Sequence, residues 1–144
     1  MKDVQNRHDD RKVPIRKVGI KNLRYPVVVM DRQYQSQQTV ATVNMFVDLP
    51  HNFKGTHMSR FVEIMNHCRG QVSVHAIGDI LKTMIDRFES ETSHLEIRFP
   101  YFIEKTAPVS GAKSLMDYDC AFLATMNHRN GRGQMDLVIE AAVP

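Results

Sequence analysis

Residues 39–49 read TVATVNMFVDL, with Ala41, Val43, Met45, Val47 and Leu49 on every second position and Thr42, Asn44 and Asp48 between them. Side chains of a strand point alternately to opposite faces, so this period of two predicts a strand with one apolar and one polar face. Just upstream, residues 25–30 (YPVVVM) are apolar and rich in β-branched residues, which predicts a preceding strand. The polar segment 31–38 (DRQYQSQQ) joins them. A connection this short cannot carry a parallel crossover, so the pair is expected to be antiparallel.

Downstream the period changes. After the turn-rich segment 49–55 (LPHNFKG), Thr56 is placed to cap a helix whose apolar residues Met58, Phe61, Val62, Met65 and Cys68 share one face, ending at Gly70. Ser73 opens a second helix, in which Val74, Ile77, Leu81, Met84, Ile85 and Phe88 recur at intervals that keep one face apolar. Asp79, Lys82, Asp86 and Arg87 are left for water.

A period of two then returns through Leu95, Ile97, Phe99, Tyr101 and Ile103, where Pro100 limits pairing. It recurs through Met116, Tyr118, Cys120, Phe122 and Ala124, and again through Met135, Leu137 and Ile139, with Asn130-Gly131 as a hairpin signal between the last two. The expected fold class is α+β: an antiparallel β-sheet with two helices on one face, in the order strand, strand, helix, helix, strand, strand, strand. The other sheet face is then wet or covered by another subunit.

The chain has 144 residues, 42% of them hydrophobic, which is enough for one domain with its own core. Residues 1–24 carry eight Lys/Arg against three Asp, while the rest of the chain carries 11 basic and 13 acidic residues. The division expected is therefore a basic N-terminal arm over 1–24 and a single module over 25–144. Basic charge confined to an arm does not make the charged folded face of a nucleic-acid binder, so no nucleic-acid partner is expected. The two cysteines, Cys68 and Cys120, lie in apolar segments without framework spacing, and no apolar run reaches membrane-spanning length. A cytoplasmic protein with no membrane partner is expected.

Seven histidines invite a metal reading, but their spacings resist it. His67 and Cys68 are neighbours on a helix and point about 100° apart, and neither His67 with His75 nor His51 with His57 reproduces a known ligand pattern. His57 and Ser59, two apart on a helix, cannot face each other as base and nucleophile. No phosphate-binding glycine loop is present, since GRG at 131–133 sits in a hairpin. Residues 54–61 (KGTHMSRF) differ, because they gather Lys54, His57, Ser59 and Arg60 at a helix N-terminus. Free backbone N–H groups and the helix dipole favour an anion there, and an arginine can grip phosphate in bidentate fashion. The plain alternative is a capped helix with solvated basic side chains.

Four segments, 14–32 (PIRKVGIKNLRYPVVVMDR), 39–50 (TVATVNMFVDLP), 53–66 (FKGTHMSRFVEIMN) and 95–120 (LEIRFPYFIEKTAPVSGAKSLMDYDC), resemble the prokaryotic type IB GTP cyclohydrolases. That resemblance implies the N-terminal module of a tunnelling fold, in which antiparallel sheets from several modules join into a barrel with helices outside and active sites between subunits. It implies GTP as substrate, opened with water to 7,8-dihydroneopterin triphosphate and formate, on the route to folate-type pterins and deazaguanines. It further implies a divalent metal of zinc or manganese type that activates water in the complete enzyme, a second module, and a homo-oligomer. Members carry two modules, and their metal-binding Cys-Pro-Cys segment follows the strand matching VIEAAVP. Those residues are not in this sequence, so no metal ligand is assigned to this chain and no metal is expected on it alone. Lys54, His57, Ser59 and Arg60 are the substrate-binding candidates that the match carries over. The competing expectation is a non-catalytic module that binds a partner subunit or a purine ligand.

Overall fold

A computed structural model describes residues 15–31, 35–50, 58–129 and 132–142. Its elements are β1 (Ile15–Asp31), β2 (Gln35–Pro50), α1 (Ser59–His67), β3 (Gln71–Val72), α2 (Val74–Phe88), β4 (Thr92–Thr106), β5 (Lys113–Arg129) and β6 (Arg132–Ala142). The six strands form one sheet in the order β3-β1-β2-β4-β5-β6, curled into a half-barrel. The class is α+β, as expected.

The sheet is mixed, which corrects the expectation of a purely antiparallel one. Gln71 and Val72 run parallel to Val28 and Val29 of β1. Two residues are too few to show a period, so this strand had no sequence signature. Gly70 makes it possible: its φ is +66°, and a Cβ there would sit 2.5 Å from the carbonyl oxygen of Pro26. With no side chain in the way, the Gly70 carbonyl accepts a 2.9 Å hydrogen bond from the Val28 N–H.

The first strand begins within the residues read as an arm. Residues 15–24 are strand, paired to β2 from Ile15↔Pro50 onward. Their alternation was hidden for a physical reason. The register slips between Ile20 and Leu23, where Lys21 and Asn22 form a bulge with Asn22 at φ 59°. One slip reverses the phase of inside and outside, so no single period of two runs through the segment. Asn44 stabilises the bulge, its Oδ1 accepting the Asn22 N–H at 2.7 Å.

The alternation in 39–49 appears as read. Ala41, Val43, Met45 and Val47 are buried, as are Leu95, Ile97 and Phe99 on β4. They share one core with Phe61, Ile64 and Met65 of α1 and with Ile77, Ile80, Leu81, Met84 and Phe88 of α2. Val74, expected on that apolar stripe, is instead 53% exposed, because it opens the helix directly after the cap. Ser73 caps α2 as predicted, its hydroxyl accepting the Ala76 N–H at 3.1 Å. Pro100 limits pairing on one side only: the β2–β4 ladder ends at Thr42↔Arg98, whereas β4 continues alongside β5 through Pro100↔Asp119 to Thr106↔Lys113. The β5–β6 pair closes at Arg129↔Arg132, which makes the expected hairpin.

Sheet and helix layer are also tied by one buried polar contact. Ser93 is fully buried, and its hydroxyl donates to the Leu81 carbonyl of α2 at 2.9 Å. Replacing Ser93 with alanine is expected to cost about 1 kcal/mol in urea unfolding, the net worth of one such bond.

Candidate functional site

At the start of α1, Met58 occupies the N-cap position in helical conformation with no side-chain cap bond, and the first turn has no acidic residue. Thr56, predicted as the cap, lies outside the described residues. The positive end of the α1 dipole is therefore neutralised by no carboxylate of its own first turn, an arrangement that favours an anion. Ser59 is exposed and Arg60 half-buried in this same turn. Lys54 and His57, the other two candidates, lie outside the described residues. The helix ends at His67, with Cys68 as its C-cap, a turn earlier than Gly70.

Among the described residues, no group of three or more His, Cys, Asp and Glu side chains converges. His75 pairs with Asp79 one turn along α2 at 3.3 Å, and both are exposed. Burial, aided by Asp79, pushes the Cys68 thiol above its ordinary pKa, and burial with Asp119 does the same to Cys120. A catalytic ion needs about three protein ligands in one place, and these residues do not supply them. The thiol shifts make a prediction. Raising a pKa lowers the thiolate fraction at neutral pH, so both cysteines should alkylate with iodoacetamide more slowly than a free thiol, with rates still climbing above the ordinary thiol range. Labelling at peptide-like rates at pH 7 would contradict it.

Sequence reasoning missed a second feature, on the sheet face turned away from the helices. Here Asp48, His94 and Thr125 sit on adjacent strands. His94 Nε2 lies 3.3 Å from Asp48 Oδ2 and Nδ1 3.2 Å from Thr125 Oγ1. A carboxylate only accepts, so all three are satisfied when Nε2–H donates to Asp48 and Nδ1 accepts the Thr125 hydroxyl. On the same face, Arg98 Nε donates to Glu96, and its Nη1 lies 3.8 Å from Glu140. Beside this pair runs a groove of about 860 Å³ lined by Arg24, Thr42, Arg98, Asp119, Ala121 and Glu140, among others. No local motif could have revealed these groupings, because they arise from the pairing register of strands that are distant in sequence.

A family profile described as type I GTP cyclohydrolase folE2 matches residues 1–144. The chain belongs to this family. It is similar to the GTP cyclohydrolase FolE2 of Pelobacter propionicus, at 54% identity over all of this chain and 54% of that relative. It is also similar to those of Geobacter sulfurreducens (52% identity, 54% of the relative) and Syntrophus aciditrophicus (51% identity, 55% of the relative), in each case along its whole length. The chain thus spans about half the length of the FolE2 relatives it matches. A crystal structure of a highly active BTUO mutant aligns with TM-score 0.52 and 9% identity over 88% of this chain and 54% of that one. At that identity it shows a shared fold alone.

Among the described residues, no helix is long and apolar enough to cross a membrane.

Proposed function

We propose that this chain supplies one tunnelling-fold module of a cytoplasmic GTP cyclohydrolase, which opens the imidazole ring of GTP with water and yields 7,8-dihydroneopterin triphosphate and formate. The observation that carries the reading is the family match from end to end, on relatives about twice as long. The module is proposed to occupy 25–144 together with the strand residues 15–24, and to join a second module within a homo-oligomer.

The fold offers support for that association. β6 is an edge strand, and β1 is covered by β3 at only Val28 and Val29. Open strand edges expose unpaired N–H and C=O groups, which a neighbouring sheet can satisfy. Ser59 and Arg60, with Lys54 and His57, are proposed to contact the substrate from the start of α1, where charge and free N–H groups suit phosphate oxygens.

A divalent metal of zinc or manganese type would supply the activated water of this reaction. Since the described donors do not fit such an ion, its ligands are proposed to come from the half of the FolE2 length that this chain does not span. The test is to mix the purified chain, with metal and GTP, with the remaining half of a FolE2 relative, and to follow formate and pterin fluorescence. Product is expected from the mixture and not from the chain alone. Formate from the chain alone would overturn the reading. That no donor group converges among the described residues also favours a second reading, a non-catalytic module that binds its partner or a purine. In that case the mixture associates on size exclusion yet forms no formate.

A further inference from the structure

We propose that the outer edge of β5 over residues 113–118 pairs antiparallel with the same edge of a second copy of this chain, across a two-fold axis that sets Leu115 opposite Leu115 and Lys113 opposite Asp117. The pairing holds whether or not the module is catalytic, and it uses neither of the end strands β1 and β6.

β4 and β5 outrun the rest of the sheet. Their ladder extends to Thr106↔Lys113, whereas β2 leaves β4 at Arg98 and β6 leaves β5 at Asp119. Residues 100–106 and 113–118 therefore form a two-stranded ribbon, which is marginally stable by itself in water. Its two edges differ. On the β4 side the Gln37 side chain of β2 stands in for a strand: its Oε1 accepts the Phe102 N–H at 2.7 Å, and its Nε2 donates to the Phe102 carbonyl at 2.9 Å. Beside it, Thr39 Oγ1 donates to the Pro100 carbonyl at 3.0 Å. On the β5 side, no strand among the described residues pairs with 113–118 from outside. Leu115 is 70% exposed there. An open edge with an exposed apolar residue is a template for another strand.

The side chains of this edge complement a copy of themselves. Lys113, Leu115 and Asp117 alternate onto one face. In an antiparallel pair centred on Leu115, each Lys113 stands opposite an Asp117, so two ion pairs flank one leucine contact. Opposite charges directly across from each other favour a pairing, and like charges oppose it. Asp117 makes no ion pair among the described residues, and Lys113 has only Glu104 at 3.9 Å, beyond hydrogen-bonding distance. Both are therefore available. A shift of one residue would turn one copy's faces over, and a shift of two would set Leu115 opposite a charge. The end strands lack this property. β1 carries Arg16, Lys17, Lys21 and Arg24 with no carboxylate before Asp31, so two such edges repel. β6, paired with itself through its exposed Val138, would set Asp136 opposite Glu140. A contact in which the same patch serves both partners is the form a closed dimer requires.

Sedimentation equilibrium of the 144-residue chain tests this, with the parent expected to associate reversibly. Lys113→Asp and Asp117→Lys each set like charges opposite one another twice, and each should weaken association about tenfold or more. The double variant restores opposite charges with their positions exchanged, and should return to within about threefold of the parent. Lys113 and Asp117 are exposed, so the far-UV circular dichroism of all three variants should match that of the parent. A parent chain that stays monomeric, single variants that associate as tightly as the parent, or a double variant no tighter than the singles would each overturn the inference.

Discussion

Truncating Phe61 to alanine should lower the unfolding free energy by about 3–5 kcal/mol, a large share of the stability of a domain this size. Phe61 is fully buried, and its ring stacks on Phe88 of α2 with centroids 4.5 Å apart and an interplanar angle of 24°. Two contributions are lost together. One is the burial of an aromatic side chain, and the other is the ring–ring term, itself about 0.5–1.5 kcal/mol. α1 has only nine residues, too short to hold its shape in isolation, so its position depends on Phe61, Ile64 and Met65 entering the core. Urea titration measures the loss. Phe61→Leu keeps most of the volume and should cost less than half as much. A Phe61→Ala protein within about 1 kcal/mol of the parent would contradict the packing described.

Adding a single methyl at Gly19 should be comparably damaging for the opposite reason. A Cβ there would lie 1.8 Å from the Met45 carbonyl oxygen and 2.7 Å from the Cα of Phe46. Both obstacles are backbone, so no rotamer change relieves the clash. β1 must move away from β2 just before the bulge that sets the register of its remaining length. Overpacking typically costs about 1–3 kcal/mol, and a backbone clash belongs at or above the top of that range. Thermal unfolding of Gly19→Ala should fall by several degrees or more. An unchanged melting temperature would mean that the two strands are farther apart here than described.

Most of the fold was legible because burial is periodic. The alternation of Ala41, Val43, Met45 and Val47 and the helical spacing of Ile77, Leu81, Met84 and Phe88 each name a buried face, and those residues are in the core. What escaped lacked a period. The bulge at Lys21 and Asn22 inverts the phase of β1, and Gln71–Val72 is too short to have one. The parallel contact of β3 comes from the shape of the turn at Arg69 and Gly70, both at positive φ, and not from side-chain pattern.

The candidate site divides along the same line. Ser59 and Arg60 could be named in advance because a helix start is a local feature with a known preference for anions. Arg24, Arg98, Asp119 and Glu140 could not be grouped in advance. Arg24 and Glu140 are brought onto one row only by four successive strand pairings. Nothing in the charge of each residue taken singly distinguishes it from any solvated one.

The chemistry proposed above needs an ion, and among the described residues no group of donor side chains gathers to hold one. Equilibrium dialysis of zinc and of manganese against the purified chain, alone and together with the other half of a FolE2 relative, puts that deficit to the test. Substoichiometric, readily chelated metal on the chain alone and one tightly held ion per pair of halves is the expected result. One tightly held ion on each copy of the chain alone would contradict it.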